Sequence, residues 1–209
     1  NFLREKLGEL APEVEFLGEE DGLHAMKGDT FWILDPIDGT TNLVHDYQHS
    51  TVSLGLYSKG EIILGVIYDP FREEMFYAEK GKGSFVNGRP IHVAEAENLG
   101  QTIIAIGTAP YQKELAPQNF ACFQRVFEKC EDIRRTGSAA MDLAYTAAGR
   151  IGGYFEARLQ PWDFAAGMLI LTEAGGKITR YDGSEVNPVE PGGIVATNGK
   201  LHEELRALL

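Results

Sequence analysis

Apolar residues along this chain fall into short runs that are separated by turns rich in glycine and proline. The runs VEFL, FWIL and TIIAI, at residues 14–17, 31–34 and 102–106, have the length of buried strands. Asn87–Gly88 is typical of a two-residue hairpin turn. The spacing of the runs around it predicts an antiparallel sheet over residues 50–95. Its strands are predicted at residues 50–56, 62–68, 74–78 and 91–93.

Helical spacing of apolar residues predicts helices over residues 1–10, 118–130, 139–148, 163–174 and 198–208. Strands are predicted between the later helices, at residues 152–157, 177–181 and 192–196. In the second helix, Phe120, Phe123 and Phe127 form a stripe that favours a place in the core over a ligand site. The pattern therefore indicates an antiparallel sheet followed by alternating helices and strands.

The stretch FWILDPIDGTTNLVH, at residues 31–45, joins a buried strand to a helix start through a turn that carries two carboxylates. Pro36 is expected to end the strand pairing because it has no N–H to donate. Asp35 and Asp38 are costly to bury unless they are paired or bind a metal. Carboxylate oxygens suit hard cations such as Mg²⁺. Free N–H groups at a helix start attract phosphate.

The same stretch has a plainer interpretation, in which its polar residues only shape a turn. Asp38, Thr40 and Thr41 are all residue types that cap helices. A bare D-x-x-D motif favours this interpretation, but the strand before it and the GTTN after it favour a site.

Further polar residues follow other predicted strands or begin other helices. Glu19 follows the strand at 14–17, where a solvated acidic loop is the plainer interpretation. Residues 22–30 are predicted to form a mostly polar loop. Ser138 and Asp163 begin helices and are either caps or site residues. Glu156 lies in the strand at 152–157.

Charge and composition narrow the classes of function. The 209 residues carry 19 basic and 31 acidic side chains, a net charge of −12. This charge argues against a nucleic-acid partner or an anionic membrane surface. A negative phosphate enzyme would need divalent cations to invert the charge of its site. The sequence contains no run of 18 apolar residues, so we expect no membrane-spanning helix.

The two cysteines, Cys122 and Cys130, both fall in the predicted helix 118–130. Eight residues of helix separate them by about 12 Å, which is too far for a disulfide. We therefore expect a reducing, cytoplasmic setting.

Four long motifs together resemble the inositol monophosphatase family: FLGEE, WILDPIDGTTNLVH, RRTGSAAMDLAYTAAGR and GYFEARLQPWDFAAGMLILTEAGG. The similarity runs from about Val14 to the C-terminus. It implies an α/β (α+β) fold, the layered αβαβα sandwich of the inositol monophosphatase and fructose-1,6-bisphosphatase type, usually as a homodimer. Residues 1–209 would form a single domain that lacks the family's N-terminal helical segment, which carries a lysine and an aspartate over the site.

The resemblance implies a site for two to three Mg²⁺ ions. Glu19, Asp35 and the backbone carbonyl of Ile37 would hold the first ion. Asp35, Asp38 and Asp163 would hold the second. Water activated by the metals would hydrolyse the phosphate ester.

The resemblance also implies roles in catalysis and in substrate binding. Thr40, with Glu19, would orient and deprotonate the water, and Asp38 completes the predicted catalytic set. The amides of Gly39 and Thr40 would bind the phosphate. The polyol would contact Asp38, Gly137, Ser138, Ala139, Glu156 and Asp163.

The resemblance leaves the ester open. The family also contains fructose-1,6-bisphosphatases, 3′-phosphonucleotide phosphatases and histidinol phosphatases, while TTNLVH at residues 40–45 looks most like the inositol type. A non-catalytic regulatory member would be marked by loss of a metal carboxylate or of Thr40, and all are present.

Overall fold

The computed structural model describes residues 2–19 and 28–209. Its helices are α1 (Phe2–Leu10), α2 (Thr40–Val44), α3 (Ala116–Phe127), α4 (Ala139–Ala147), α5 (Pro161–Glu173) and α6 (His202–Arg206). Its strands are β1 (Glu15–Gly18), β2 (Thr30–Asp38), β3 (Thr51–Ser58), β4 (Glu61–Asp69), β5 (Glu74–Glu79), β6 (Ser84–Val86), β7 (Arg89–Ile91), β8 (Ile103–Ile106), β9 (Asp132–Arg134), β10 (Gly153–Leu159), β11 (Lys177–Thr179) and β12 (Gly192–Thr197).

The first sheet has seven strands in the order of the sequence, β1 to β7. Strand β1 runs parallel to β2, and every later neighbour pair is antiparallel. The predicted antiparallel sheet over residues 50–95 is therefore confirmed. Asn87 and Gly88, with φ angles of 47° and 77°, form the hairpin turn between β6 and β7, and the return strand begins at Arg89 rather than at residue 91.

The second sheet has five strands in the order β11-β12-β10-β8-β9. Strand β8 is parallel to both of its neighbours, whereas β12 is antiparallel to both of its own. Parallel strands need long crossovers, which α3, α4 and the loops around them provide. The predicted alternation of helices and strands after residue 95 is confirmed.

Helices α4 and α5 lie between the two sheets and bury the main core. Helix α5 packs on β2 to β5, while α4 contacts β10 and β12 as well as β3 and β4. Leu143, Phe164 and Ile170 are fully buried in this layer. Phe123 of α3 and Leu205 of α6 pack with Phe155 in a second cluster on the far side of β10. The α/β class and its layered arrangement are confirmed.

Gly65 lets α5 lie close to the first sheet. Gly55 and Gly65 face each other across β3 and β4. A Cβ atom on Gly65 would come within 2.6 Å of the Ala166 carbonyl oxygen on α5. The lack of a side chain at Gly65 therefore determines how closely α5 packs against the first sheet, and with it how near the N-terminal end of α5 comes to the end of β2.

Three predictions about helices are wrong in detail. Helix α3 ends at Phe127, so Cys130 lies beyond it, although both cysteines are free as expected. Phe120 and Phe127 are 63% and 55% exposed and lie outside the core, because periodicity does not reveal which part of a helix face is covered. The closing helix is shorter than predicted.

Strand β2 continues past Pro36, contrary to prediction. It pairs with β3 as far as Asp38, with an irregular register between Asp35 and Asp38. Strand β1 pairs with β2 only as far as Leu34. Pro36 therefore lies where β2 has lost one neighbour, and proline is tolerated there.

Two further predictions concern the loop at residues 22–30 and the absence of a membrane-spanning helix. Most of the predicted polar loop at 22–30 lies outside the described residues. Among the helices of the described ranges, none combines the length and apolarity that crossing a membrane requires.

Candidate active site

Three carboxylates from two distant parts of the chain meet at one end of the first sheet. Asp35 and Asp38 come from the irregular end of β2, and Asp163 comes from the first turn of α5. One oxygen of each lies within 4.8 Å of the others. Asp35 and Asp38 are only 3% and 7% exposed, so three negative groups are crowded together largely away from water.

Asp38 is held by the neighbouring helix α4 and does not cap α2. Its Oδ2 accepts hydrogen bonds from the Ser138 hydroxyl and from the Ala140 backbone N–H, the latter at 2.9 Å. The predicted caps Asp38, Thr40 and Thr41 are therefore wrong: the N-cap of α2 is Gly39, at φ 85°, and no side chain of the described residues caps the helix. An αL backbone there favours glycine.

Asp163 and Ser138 both cap helices, as the plainer interpretation of each proposed. The Gln160 backbone N–H donates to Asp163 Oδ2 at 2.7 Å, which closes the first turn of α5. Ser138 Oγ accepts from the Met141 N–H at 3.3 Å. Capping uses one oxygen of Asp163 and leaves the other for a ligand.

Burial raises the pKa of all three carboxylates. Burial, together with the nearby Asp38 charge, raises the pKa of Asp35 from 3.8 to about 8. Burial raises the pKa of Asp38 to about 6, against the opposing hydrogen bonds from Ser138 and Ala140. Burial and the Asp38 charge raise the pKa of Asp163 well above its usual range. Within residues 2–19 and 28–209, no lysine or arginine forms an ion pair with any of the three.

This donor set fits a hard divalent cation. Buried carboxylates are normally paired with a cation or coordinate a metal. Mg²⁺ prefers oxygen ligands and is commonly held by one or two carboxylates together with water and substrate phosphates. Asp35, Asp38 and Asp163 could hold such an ion, and the ion would supply the charge that the protein does not.

Backbone and hydroxyl groups around Ile37 are held in place beside these carboxylates. The Ile37 N–H donates to Asp35 Oδ1 at 2.9 Å, and the Thr40 hydroxyl donates to the Ile37 carbonyl at 3.0 Å. Glu19 is exposed, lies just beyond β1 and lines the same cleft, although it is not part of the three-carboxylate group.

Glu156 lines the same cleft, where two donors fix its carboxylate. Its Oε1 accepts from the Ala109 N–H at 2.7 Å, and its Oε2 accepts from the Tyr154 hydroxyl at 2.6 Å. Ala109 adopts an αL backbone, φ 46°, and a Cβ on Gly107 would meet Glu156 Oε2 at 2.0 Å. Burial raises the pKa of Glu156.

A single cleft of about 250 Å³ brings all the predicted site residues together. This volume lies below the roughly 300–1,000 Å³ of sites for drug-sized ligands and suits a small ester. The predicted residues that line it are Glu19, Asp35, Ile37, Asp38, Gly39, Thr40, Gly137, Ser138, Ala139, Glu156 and Asp163.

Sequence reasoning missed several side chains that line the cleft, among them Arg135, Asp142, Tyr154 and Arg158. Asp142 is buried and accepts from the Thr136 hydroxyl on both oxygens at 2.8 Å. The alternation of β10 could have placed Tyr154 and Arg158 on the same face as Glu156. No sequence signal marks Asp142.

The sequence model of the inositol monophosphatase family matches residues 1–209. The chain belongs to this family. An inositol monophosphatase from Anabaena (Nostoc) sp. PCC 7120 has a similar structure, with a TM-score of 0.90 and 40% identity over 98% of this chain and 81% of that one. The inositol-1-monophosphatase of Synechocystis is 40% identical over 95% of this chain and 69% of its own length. The Escherichia coli K12 protein named Nus factor SuhB is 41% identical over 94% of this chain and 73% of its own.

The inositol monophosphatase family is a family of phosphatases, and this chain is one of its members. Relatives with two kinds of name, inositol-1-monophosphatase and Nus factor SuhB, lie at the same level of identity. Family membership alone therefore leaves the ester unassigned.

Proposed function

We propose that this protein is a Mg²⁺-dependent phosphatase that hydrolyses inositol monophosphate to inositol and inorganic phosphate. The observation that carries the proposal is the group of three carboxylates within 4.8 Å at the end of β2. Such a group is unfavourable without a cation and suits Mg²⁺ in charge and in ligand type.

The proposed site would hold two to three Mg²⁺ ions. Glu19, Asp35 and the Ile37 carbonyl would hold one ion, and Asp35, Asp38 and Asp163 would hold another. Bound there, Mg²⁺ would lower the pKa of a water molecule and neutralise the phosphate of the ester.

The protein's own groups would position the water and the phosphate. The Thr40 hydroxyl donates its proton to the Ile37 carbonyl, so its oxygen is left to accept a hydrogen bond from the attacking water. The Glu19 carboxylate, on the same cleft, would take the proton that this water loses. The N–H groups of Gly39 and Thr40 precede the first intrahelical bond, from Leu43 N–H to the Gly39 carbonyl, and would donate to the phosphate oxygens.

The part of the cleft around Glu156 would bind the alcohol part of the ester. Glu156 is a fixed acceptor because Tyr154 and the Ala109 N–H hold both of its oxygens. Acceptors of this kind suit the hydroxyl groups of a polyol. Gly137, Ser138 and Ala139 line the same cleft as Glu156, and Asp38 and Asp163 complete the predicted polyol contacts.

The first test is Mg²⁺-dependent phosphate release from four esters: inositol 1-phosphate, fructose 1,6-bisphosphate, a 3′-phosphoadenosine nucleotide and histidinol phosphate, each with and without Li⁺. We expect inositol 1-phosphate to give the highest kcat/KM, and Li⁺ to inhibit its hydrolysis. The matched control is the Asp35→Asn variant, which removes a carboxylate shared by both proposed metal sites. Preference for another ester would refute the inositol assignment, and full activity of Asp35→Asn would refute the metal assignment.

A second candidate comes from the name Nus factor SuhB, which relatives such as the Escherichia coli K12 protein carry. This candidate is a non-catalytic regulatory role on the same fold, whereas the carboxylates and Thr40 that catalysis needs are all present in the cleft. Absence of phosphate release from all four esters at every Mg²⁺ concentration would favour this candidate. The cytoplasmic location, the homodimer and the lack of nucleic-acid or membrane partners stay predictions.

A further inference from the structure

The Asp142 carboxylate lines the cleft, and the hydrolysis proposed above does not use it. Asp142 belongs to the first turn of α4 and is only 2% exposed. The hydroxyl of Thr136, in the turn at residues 136–138, donates to it and lies 2.8 Å from each carboxylate oxygen. Burying a carboxylate is costly unless hydrogen bonds compensate, so the folded protein strongly favours keeping Thr136 against α4.

The backbone of this turn contacts α2. Gly137, in the middle of the turn, has an αL backbone with φ 91°. The Thr136 carbonyl accepts from Asn42 Nδ2 at 2.8 Å, and the same nitrogen donates to the His49 carbonyl at 2.8 Å. A Cβ on Gly39 would come within 3.2 Å of the Gly137 carbonyl oxygen. The turn therefore lies against the N-terminal end of α2.

The same turn also holds Asp38. Ser138, its last residue, donates its hydroxyl to Asp38 Oδ2, which also accepts from the Ala140 N–H at 2.9 Å. The Asp142 N–H donates to the Ser138 carbonyl at 3.1 Å. Asp142 therefore holds both ends of the turn, by its side chain at Thr136 and by its backbone at Ser138.

We propose that Asp142 is a positioning residue of the phosphatase site. Through the Thr136 hydroxyl it fixes the turn, and the turn fixes both the N–H groups at the start of α2 and the Asp38 carboxylate. This inference rests on the proposed function and adds a residue that would touch neither the ester nor the metal. Positioning matters because a displacement of about 1 Å can lower a rate about 100-fold.

The first test measures amide hydrogen exchange by NMR in the metal-free protein without substrate. Two amides report on the two places that the turn holds. They are the Ala140 N–H, which donates to Asp38, and the Leu43 N–H, which donates to the Gly39 carbonyl at 3.1 Å. Thr136→Val removes the hydroxyl at nearly constant shape, so we expect both amides to exchange about tenfold faster.

A rescue variant and a matched control accompany this measurement. Thr136→Ser retains the hydroxyl, and its two amides should exchange as in the wild type. The control is Thr146→Val, the same substitution at a fully buried position of α4, where the hydroxyl donates to the Asp142 backbone carbonyl at 2.8 Å. It should leave both amides at the wild-type rate, because the Asp142 carboxylate keeps its contact with the turn.

The second test measures kcat/KM for inositol 1-phosphate. Thr136→Val and Asp142→Ala should each lower it about tenfold. Asp142→Asn should stay near the wild-type value, because its amide oxygen still accepts from the Thr136 hydroxyl. The double variant Thr136→Val/Asp142→Ala should fall no further than either single variant, because both substitutions remove the same contact.

The outcomes separate this inference from the proposed function. Unchanged exchange in Thr136→Val, or an equal rise in Thr146→Val, would overturn the inference. Faster exchange with unchanged kcat/KM would overturn it as well, and so would additive losses in the double variant or an equal loss in Asp142→Asn. If the wild type hydrolyses no ester, the proposed function fails, and the exchange rates alone decide whether Asp142 fixes the turn. Thermal unfolding shows whether Asp142→Ala folds, and the partly exposed Thr136 provides the independent variants.

Discussion

Replacing Asp38 by asparagine should stabilise the metal-free protein at pH 8 while it removes activity. Asparagine is neutral, and its side-chain oxygen can still accept the hydrogen bonds that Ser138 and Ala140 donate. The variant therefore changes the buried charge and keeps the contacts. It also takes one carboxylate from the proposed metal site, so we expect turnover to fall at least about 100-fold.

The size of the stabilisation follows from the pKa of Asp38. Burial raises that pKa from 3.8 to about 6. At about 1.4 kcal/mol for each unit by which the pKa is raised, an ionised Asp38 costs the folded state about 3 kcal/mol. The carboxyl is neutral in both states below pH 3.8, and the cost grows between pH 4 and 6 and is complete above pH 6. The gain should therefore be about 3 kcal/mol at pH 8 and only about 1 kcal/mol at pH 4.5.

The assay is thermal unfolding in EDTA at pH 8 and at pH 4.5, followed by Mg²⁺ titration at pH 8. For a domain of this size 3 kcal/mol corresponds to a rise in Tm of about 6–12 °C. Mg²⁺ should raise the Tm of the wild type and have little effect on that of Asp38→Asn, since ligands stabilise the state they bind.

The matched control is Asp69→Asn. Asp69 is also fully buried, but Arg72 Nη1 pairs with it at 3.1 Å, so removing its charge should lower Tm at pH 8. An unchanged Tm for Asp38→Asn at pH 8, or an equal gain at both pH values, would refute the argument from buried charge. Normal turnover of that variant would refute its place in the metal site.

Three other predictions test the remaining features. Glu156→Gln should raise KM for inositol 1-phosphate about tenfold and leave KM for p-nitrophenyl phosphate unchanged; equal effects on both would exclude a polyol contact. Gly65→Ala should lower the free energy of unfolding by about 1–3 kcal/mol because its Cβ would lie 2.6 Å from the Ala166 oxygen. Gly8→Ala, in open space on α1, is its control and should stabilise by about 0.5–1 kcal/mol. Because Asp35, with a pKa raised to about 8, must lose its proton to bind metal, Mg²⁺ affinity should rise from pH 6 to 8.5; a pH-independent affinity would contradict this.

The parts of the fold that sequence could predict are those governed by local pattern. Strand lengths and the turn at Asn87–Gly88 follow from side-chain alternation and backbone preference, so the sheet over residues 50–95 was predictable. Asp35 and Asp38 lie three residues apart at a strand end, so their proximity was predictable as well.

The parts that sequence could not predict depend on contacts between distant segments. The Ala109 N–H and Glu156 are 47 residues apart in the chain, and only the folded structure joins them. Helical spacing selected a face of α3, but nothing in it shows that Phe120 and Phe127 are left uncovered. The continuation of β2 through Pro36 depends on where the neighbouring β1 ends.

The double role of Asp163 has an evolutionary consequence. One of its oxygens accepts the Gln160 N–H and closes the first turn of α5, a helix between the sheets, which is a structural role separate from metal binding. A descendant of this protein that lost catalysis would still be selected for an acceptor at position 163. Asparagine or serine should therefore replace this aspartate more readily than alanine in such lineages, while Asp35 would be free to drift. The residue at position 163 would then reflect the need to cap α5. The residue at position 35 would indicate whether the lineage still binds metal.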